Sequence, residues 1–333
     1  MIARFIINMS EPFHKEPRFR EDSGIYYPPF CTTYFEKYFY NYMMRGYHNG
    51  TIDKAIYDRY IPVFWTEVQI SKRYDDTLLT KVKTEDNDFL WTLWDLLRDL
   101  PPNKTYFTVV QHDDGIVFSS KSTNLITFGM GGIGNIPIPL TYDENLSFDT
   151  YKNSEKTVFC SFVGSLTHPC RKQMVEAFSS RAEVADRISW SNRAEVADRS
   201  TMTNKPDIFI VVDDWTNQIQ EEKQTLYLQV MGKSRFTLAP RGYGKTSFRL
   251  YEALRMGSIP VYIYDDPWLP YQDILDWSKM AVLVHVDELD GLYERLLNIG
   301  DDEVAAYLAY YNNHSHLFSY DGICEYILNS FTK

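Results

Sequence analysis

The sequence predicts an α/β protein of two domains, and three observations carry that expectation. Its 333 residues exceed what one hydrophobic core ordinarily covers. From about residue 150 onward, five short apolar runs ("TVFCSFVG", "DIFIVV", "RFTLAP", "IPVYIY" and "AVLVHV") alternate with helical segments. Such alternation implies a parallel sheet covered by helices on both faces. Third, Ser234 to Asp266 ("SRFTLAPRGYGKTSFRLYEALRMGSIPVYIYDD") reads as buried strand, Gly-rich turn, helix and second strand in immediate succession. The division between the domains is expected near residue 150, giving segments 1–150 and 151–333.

In the first segment the alternation is looser. "ARFIIN" reads as a strand, and the turn "PPFCTT" leads into an aromatic-rich helix, "TTYFEKYFYNYMM". "YIPVFWTEVQI" reads as a second strand. "DNDFLWTLWDLLRDL" reads as an amphipathic helix stopped by Pro101 and Pro102, since proline lacks the N–H a helix needs. "TYFTVVQ" is a buried strand followed by the polar loop "HDDG", and "NLITFGMGGIGNIPIPL" is a short strand running into irregular Gly/Pro-rich backbone. The last 45 residues read as helices ("LDGLYERLLNI", "DDEVAAYLAYYNNH", "DGICEYILNSF"). A tandem duplication joins Ser179–Trp190 to Ser191–Met202, with eight of 12 positions identical. Two copies cannot build a solenoid, so the expectation is a lengthened surface helix or helix–loop.

Composition narrows the function. The net charge of −11 disfavours a general nucleic-acid binder, because an acidic chain repels a phosphate backbone. Aromatic residues make up 16% of the chain, with 25 Tyr against 20 Phe. Tyrosine pairs a flat apolar face with a hydroxyl, which suits a sugar site as well as a core. Four scattered cysteines (Cys31, Cys160, Cys170, Cys324) form no C-x-x-C pair, so neither a zinc site nor a disulfide framework is expected. No apolar run approaches the roughly 18 residues of a membrane span, and the apolar part of the first residues is too short for a secretory signal. A cytoplasmic, soluble protein without a membrane span is the expectation, and the sequons at Asn8, Asn49, Asn103, Asn145 and Asn313 are read as chance.

The Gly-rich turn admits two readings. "APRGYGKT" misses a phosphate-binding loop of the G-x-x-x-x-G-K-[ST] type only at Ala239, and the strand ending in Asp265 and Asp266 imitates its acidic partner. That loop, however, comes two-thirds of the way along, with about 90 residues after Thr246. In the second reading a helix N-terminus offers unpaired N–H groups and the positive end of its dipole to a diphosphate. Gly242 and Gly244 let backbone approach, Arg241 and Lys245 add charge, and Thr246 or Ser247 caps the helix or bonds a phosphate oxygen. Leu250, Ala253, Leu254 and Gly257 follow the i, i+3, i+4, i+7 pattern and face the sheet. Arg249 and Glu252 lie on one flank of that stripe. They suit a phosphate and a ribose respectively, or form an i,i+3 ion pair on a solvated helix; spacing alone leaves these two equal.

These residues carry a resemblance. The segment from Ser234 to Glu288 resembles the signature of the exostosin-like glycosyltransferases, family 47. The matching positions are Ser234, Phe236, Pro240 to Gly242, Ser247, Arg249, Glu252, Ala253, Gly257, Pro260, Val261, Asp265, Leu269, Pro270 and Trp277. Upstream, "VFCSFVG" with Arg171 and the strand "NIPIPL" look like further family segments, whereas the first 100 residues match weakly. The resemblance implies a GT-B architecture, two Rossmann-like domains with a cleft between them. It also implies an inverting transfer from a nucleotide-sugar, usually a UDP-sugar, to a glycan or other hydroxyl acceptor. Animal exostosins carry a membrane anchor and sometimes a second catalytic domain. This chain looks more like the short soluble members of large DNA viruses and bacteria. The rivals are a phosphate-loop hydrolase or kinase, and a carbohydrate-binding protein with a degenerate transferase fold.

No cofactor or metal is expected beyond the nucleotide-sugar itself. The only D-x-D, Asp86-Asn87-Asp88, opens a helix rather than ending a strand, which makes it an N-cap. Charge on the leaving diphosphate then falls to Arg241, Lys245, Arg249 and the helix end. An inverting transfer needs a base for the acceptor hydroxyl. His112, Asp113 and Asp114, at the end of the strand "TYFTVV", are the candidates, with an Asp-Gly turn as the plain alternative. Asp265 ends a strand in the donor domain, where it suits a sugar hydroxyl.

Overall fold

The computed structural model describes residues 35–66, 69, 97–116, 124–141, 148–152, 154–178, 183–186, 208–214 and 221–331. The strand expected at "ARFIIN", most of the helix at "DNDFLWTLWDLLRDL", Asp86 to Asp88 and the second copy of the duplication lie outside them. Among the described residues the chain forms two units. One comprises 35–138 and 320–331, the other 139–319. The division thus falls twelve residues before the expected one, and the final helix returns to the first unit.

The first unit holds a three-stranded parallel sheet in the order β1–β2–β3: β1 (Tyr106–Val110), β2 (Leu125–Gly129) and β3 (Ile136–Pro137). Helix α1 (Phe35–His48) packs on it through Phe39, whose ring meets Tyr60 and Phe107 edge-on. The segment read as a strand at "YIPVFWTEVQI" is not one. Tyr60 makes a single bridge to Phe107, and Pro62, with no N–H, cannot extend a ladder. Glu36 instead ties this segment to β1. Its fully buried carboxylate accepts from the backbone N–H and hydroxyl of Thr66 and from the backbone N–H of Gln111. The C-terminal helix α7 (Tyr320–Asn329) belongs here because its aromatics do: Tyr320 packs edge-on against Phe35, and just beyond the helix Phe331 stacks on Phe107.

The second unit is built on a six-stranded sheet with every pairing parallel. Its strands are β4 (Val158–Gly164), β5 (Glu183–Asp186), β6 (Ile208–Val212), β7 (Ser234–Pro240), β8 (Ile259–Tyr264) and β9 (Val282–His285). The order β5–β6–β4–β7–β8–β9 leaves β4, the first of these strands along the chain, inside the sheet between β6 and β7. Successive strands are then added on one side and, from β7, on the other. The five apolar runs of the sequence are β4, β6, β7, β8 and β9. β5 was not expected: it lies in the first copy of the duplication, read as a helix or loop, and its backbone pairs with β6 from Glu183–Phe209 to Asp186–Val212. The helices are α2 (Pro169–Phe178), α3 (Glu221–Lys233), α4 (Phe248–Arg255), α5 (Leu292–Leu297) and α6 (Asp301–His314). Phe162, Phe236, Leu238, Val261 and Ile263 form the centre of the core. On this architecture, ligands bind outside the carboxyl ends of the strands where the direction of strand addition reverses. Here that place is the crevice between the ends of β4 and β7.

Candidate functional site

Chain leaving β7 at Pro240 turns through Arg241–Thr246 and enters α4. Two hydrogen bonds fix the turn: the Arg241 N–H donates to the Ile263 carbonyl (3.1 Å) and the Gly242 N–H to the Thr246 carbonyl (3.0 Å). Ser247, in extended conformation, caps α4 by accepting from the Arg249 N–H. Of the two capping candidates, then, Ser247 takes the role, while Thr246 is buried within the turn. Gly257 closes the helix at φ +64°, a left-handed conformation that glycine adopts without strain. Leu250, Ala253 and Leu254 are fully packed against the sheet, as their spacing requires.

Arg249 and Glu252 do not form a solvated pair; they are 6% and 5% exposed. The Arg249 Nη2 donates to the Val163 carbonyl at the end of β4 (2.6 Å). Its guanidinium lies 4.6 Å from the centre of the Phe162 ring and 5.5 Å from that of Tyr227. Among the described residues, Nε and Nη1 have no hydrogen-bond partner. A buried guanidinium with two unsatisfied donors is costly, which marks the mouth of the parallel sheet as a candidate anion site. Glu252, one turn deeper, accepts from the Tyr227 hydroxyl.

The other basic residues are engaged differently. All three donor nitrogens of Arg241 are occupied: Nη1 binds Asp265 Oδ1 (2.7 Å), Nε the Gly244 carbonyl (3.0 Å) and Nη2 the Tyr243 carbonyl (3.0 Å). Lys245 Nζ pairs with Asp266 Oδ2 (2.7 Å). The aspartates that end β8 thus hold the cations of the turn. These three bonds use three of the five N–H donors of the guanidinium and fix its orientation toward Asp265. Burial opposes ionisation of Asp265, yet the bond and charge of Arg241 hold its carboxyl below the usual range.

Arg171, at the start of α2, completes the site, although as a candidate it drew attention only through the family resemblance. Its Nε donates to the Arg241 carbonyl (2.9 Å) and Nη1 to the Ser165 carbonyl (2.8 Å), clamping the loops after β4 and β7 together. At both glycines of this junction a side chain would press on an arginine head group. A Cβ at Gly242 would lie 3.2 Å from Arg171 Nη2, and one at Gly164 2.7 Å from Arg249 Nη2. Tyr227 is the other residue that sequence reasoning missed: it lies on α3, outside any local motif.

Among the described residues one group could hold a metal: His168, Cys170 and Asp265, with ligand atoms within 4.8 Å of one another. Its donors are set for hydrogen bonding instead. His168 Nδ1 accepts from the Cys170 N–H (3.3 Å), which leaves the proton on Nε2, the nitrogen that faces Asp265 Oδ2 at 3.9 Å. Burial and then Asp265 push the Cys170 thiol up to about 11, and Asp265 Oδ1 is already taken by Arg241.

In the first unit, His112, Asp113 and Asp114 follow β1 in a tight turn closed by the Gly115 N–H to the His112 carbonyl (3.0 Å). His112 is buried, and its Nδ1 accepts from the Asp114 N–H (3.1 Å), so the turn orients the ring and leaves the proton on Nε2. The Gly131 backbone passes directly against Asp113, where a Cβ would fall 2.6 Å from Oδ1.

A parallel sheet with a glycine-rich turn, a helix start and the buried Arg249 at its switch point defines an α/β fold whose ligand sites lie at the strand ends. The sequence profile of the Exostosin GT47 domain matches residues 105–298, and the chain belongs to that family. It is 38% identical over 76 residues to a probable glycosyltransferase of Arabidopsis thaliana, covering 23% of this chain and 16% of that protein. A probable glucuronosyltransferase of Oryza sativa subsp. japonica is 36% identical over 86 residues (26% and 20%). An Exostosin-1 homolog of Caenorhabditis elegans is 41% identical over 72 residues (22% and 19%). The chain therefore spans about a fifth of the length of these relatives, which are plant and animal proteins rather than viral or bacterial ones. Among solved structures, TarM aligns at 9% identity over 68% of this chain and 55% of its own, with a TM-score of 0.35. The pneumococcal O-GlcNAc transferase GtfA, in complex with UDP and GlcNAc, aligns at 12% over 73% and 46%, with a TM-score of 0.33. No helix among the described residues is long and apolar enough to cross a membrane.

Proposed function

We propose that the chain is an inverting glycosyltransferase of GT-B type that takes a UDP-sugar as donor and a glycan or other hydroxyl compound as acceptor. The observation that carries this reading is Arg249, buried at the β4–β7 switch point with Nε and Nη1 unpartnered. In this reading the diphosphate supplies the missing acceptors, and the Arg249 side chain turns toward it to make a bidentate guanidinium–phosphate contact. Arg171 and Arg241 shape the loops around it, and Gly242 and Gly244 admit the phosphates. Glu252 accepts from the ribose hydroxyls, and Asp265 reads a sugar hydroxyl if Arg241 moves to the phosphate. One of Asp113 and Asp114, with His112 behind them, removes the acceptor proton as the oxygen attacks the anomeric carbon. Arginine and helix-end charge then stabilise the leaving diphosphate without a required metal.

Family membership and two parallel-sheet units support this reading over a phosphate-loop enzyme, whose lysine would not be paired to Asp266. The test is thermal stabilisation by UDP in EDTA. A ligand at about 100 times its Kd adds roughly 2.7 kcal/mol, a readable shift. UDP is expected to stabilise the wild type equally with and without EDTA, and not Arg249→Ala. A response to ATP with magnesium and none to UDP would revive the phosphate loop, and glycan binding without nucleotide binding would support a non-catalytic role.

A further inference from the structure

Two helices start at the β4–β7 crevice: α4 after the Gly-rich turn, and α2 after the short loop that leaves β4. The positive end of each helix dipole therefore meets the same strand ends. The loop before α2 is held in place. Its Gly164 carbonyl accepts from the Asp213 N–H (3.1 Å), and its Ser165 carbonyl from Arg171 Nη1 (2.8 Å). His168 ends the loop, and it takes up the backbone donors of the helix start. Pro169 has no N–H, the Cys170 N–H goes to His168 Nδ1 (3.3 Å), and the Arg171 N–H goes to the His168 carbonyl (3.0 Å). What this helix start presents to a ligand is therefore the other end of the same imidazole.

A ring nitrogen that accepts carries no proton, so the proton of the ring is on Nε2. Nε2 faces Asp265 Oδ2 at 3.9 Å, beyond the roughly 3.2 Å reach of an N–H···O bond. Asp265 instead gives Oδ1 to Arg241 Nη1 (2.7 Å). The His168 side chain is 21% exposed, which leaves its N–H within reach of a ligand. Across the sheet, Arg249 reaches the end of β4 through the Val163 carbonyl, while His168 reaches toward the end of β8. The Gly-rich turn of β7 lies between them, because β7 is the strand that separates β4 from β8.

We infer that His168 is a donor-binding residue whose Nε2–H bonds the β-phosphate of the nucleotide-sugar. The inference rests on the nucleotide reading of the crevice and adds to it a second donor, on a different helix. Arg249 shares α4 with Glu252, the ribose-side residue of that reading, so the phosphate nearer the ribose falls to Arg249 and the farther one to His168. When the anomeric C–O bond breaks, its electron pair stays on the β-phosphate oxygen. An N–H already held there stabilises the added charge without giving up its proton.

The experiment titrates UMP and UDP calorimetrically into the whole chain and two variants. His168→Asn keeps an acceptor for the Cys170 N–H, as asparagine does ahead of helices, and removes the Nε2 donor. His168→Gln extends an amide N–H to about the reach of Nε2 and loses the acceptor near the backbone. The wild type is expected to bind UDP more tightly than UMP. His168→Asn is expected to weaken UDP roughly 10- to 150-fold and to leave UMP unchanged. His168→Gln is expected to recover much of the UDP affinity while melting at a lower temperature. A histidine that only caps α2 predicts the reverse order, with asparagine harmless and glutamine damaging to UMP and UDP alike. That order overturns the inference and leaves UDP as donor, and so does an equal loss of UDP in both variants. A wild type that binds UDP no more tightly than UMP also overturns it. Absence of binding of either nucleotide to the wild type overturns the nucleotide reading and the inference with it. Should His168→Asn fail to fold, His168→Ala set against His168→Gln makes the same comparison.

Discussion

Gly164 ends β4 directly against the Arg249 guanidinium, so replacing it by alanine tests the anion site without touching a charged residue. A Cβ there would lie 2.7 Å from Arg249 Nη2 and 3.4 Å from the Phe162 ring. Carbon contacts ordinarily settle at about 3.5–4.0 Å, so the guanidinium must retreat by close to 1 Å. The bond from Nη2 to the Val163 carbonyl, 2.6 Å long, then passes beyond the roughly 3.2 Å limit of an N–H···O bond. Because the obstructed atom is the far end of a long side chain, no backbone has to move. Alanine also restricts the unfolded chain, a gain of about 0.4–1 kcal/mol that offsets part of the lost bond. Set against the roughly 1.5–3 kcal/mol of the lost charge-assisted bond, this leaves an expected net loss of about 0.5–2.6 kcal/mol. Affinity for the diphosphate follows the position of the guanidinium, and a lost charge-assisted bond is worth about 1.5–3 kcal/mol, or roughly 10- to 150-fold. Calorimetric titration of Gly164→Ala with UDP, beside a denaturant titration, separates these quantities. Unchanged UDP affinity in a folded variant would refute the assignment of Arg249 to the phosphates.

Two further outcomes follow from groups outside that contact. Glu36→Gln places an amide among the donors of Thr66 and Gln111, and is expected to cost about 1.5–3 kcal/mol in denaturant titration without altering UDP affinity in the other unit. Asp265→Asn keeps an acceptor for Arg241 but removes its charge, and is expected to lower stability at pH 7 by no more than about 1 kcal/mol, because the aspartate is over a third exposed. The Asp265 carboxyl is held below its unfolded value, so its contribution is complete above about pH 4 and is lost as pH falls through the folded value. Melting temperatures of wild type and Asp265→Asn should therefore converge toward acid, and a gap that persists there would refute the pairing.

Local pattern made much of the second unit legible. The apolar runs "RFTLAP" and "IPVYIY" became β7 and β8 because a continuous apolar strand can be buried on both faces only in a covered parallel sheet. Serine before a helical stripe and glycine after it gave the ends of α4. The burial of Arg249 and Glu252 was not legible from spacing. Helical spacing places them on a flank, and what covers that flank is Phe162 of β4 and Tyr227 of α3, 87 and 25 residues away from the residues they cover. "YIPVFWT" misled for a local reason, since an apolar run with Pro62 at its third position cannot hold a ladder beyond Tyr60. The C-terminal helix misled for the opposite reason: its amphipathic pattern is plain, but nothing in it says that Tyr320 will meet Phe35.

In the proposed reading, charge at the β4–β7 crevice reconciles an acidic chain with an anionic ligand. Four cations meet there, Arg171, Arg241, Lys245 and Arg249, against three carboxylates, Asp265, Asp266 and Glu252, so four minus three leaves one positive charge. The whole chain carries −11. A polyanion approaching along an extended surface meets the larger negative field, whereas a diphosphate small enough to enter the crevice meets the local positive one. Nearly complete pairing also means that attraction at a distance is weak, and selection rests on the short-range geometry of Arg249. Burying that guanidinium with two donors unmet opposes folding, and the rings of Phe162 and Tyr227 and the Val163 carbonyl offset only part of the cost. In the proposed reading an anion supplies the acceptors and relieves the remainder, so the unsatisfied nitrogens that weaken the free protein would be the ones that hold its ligand.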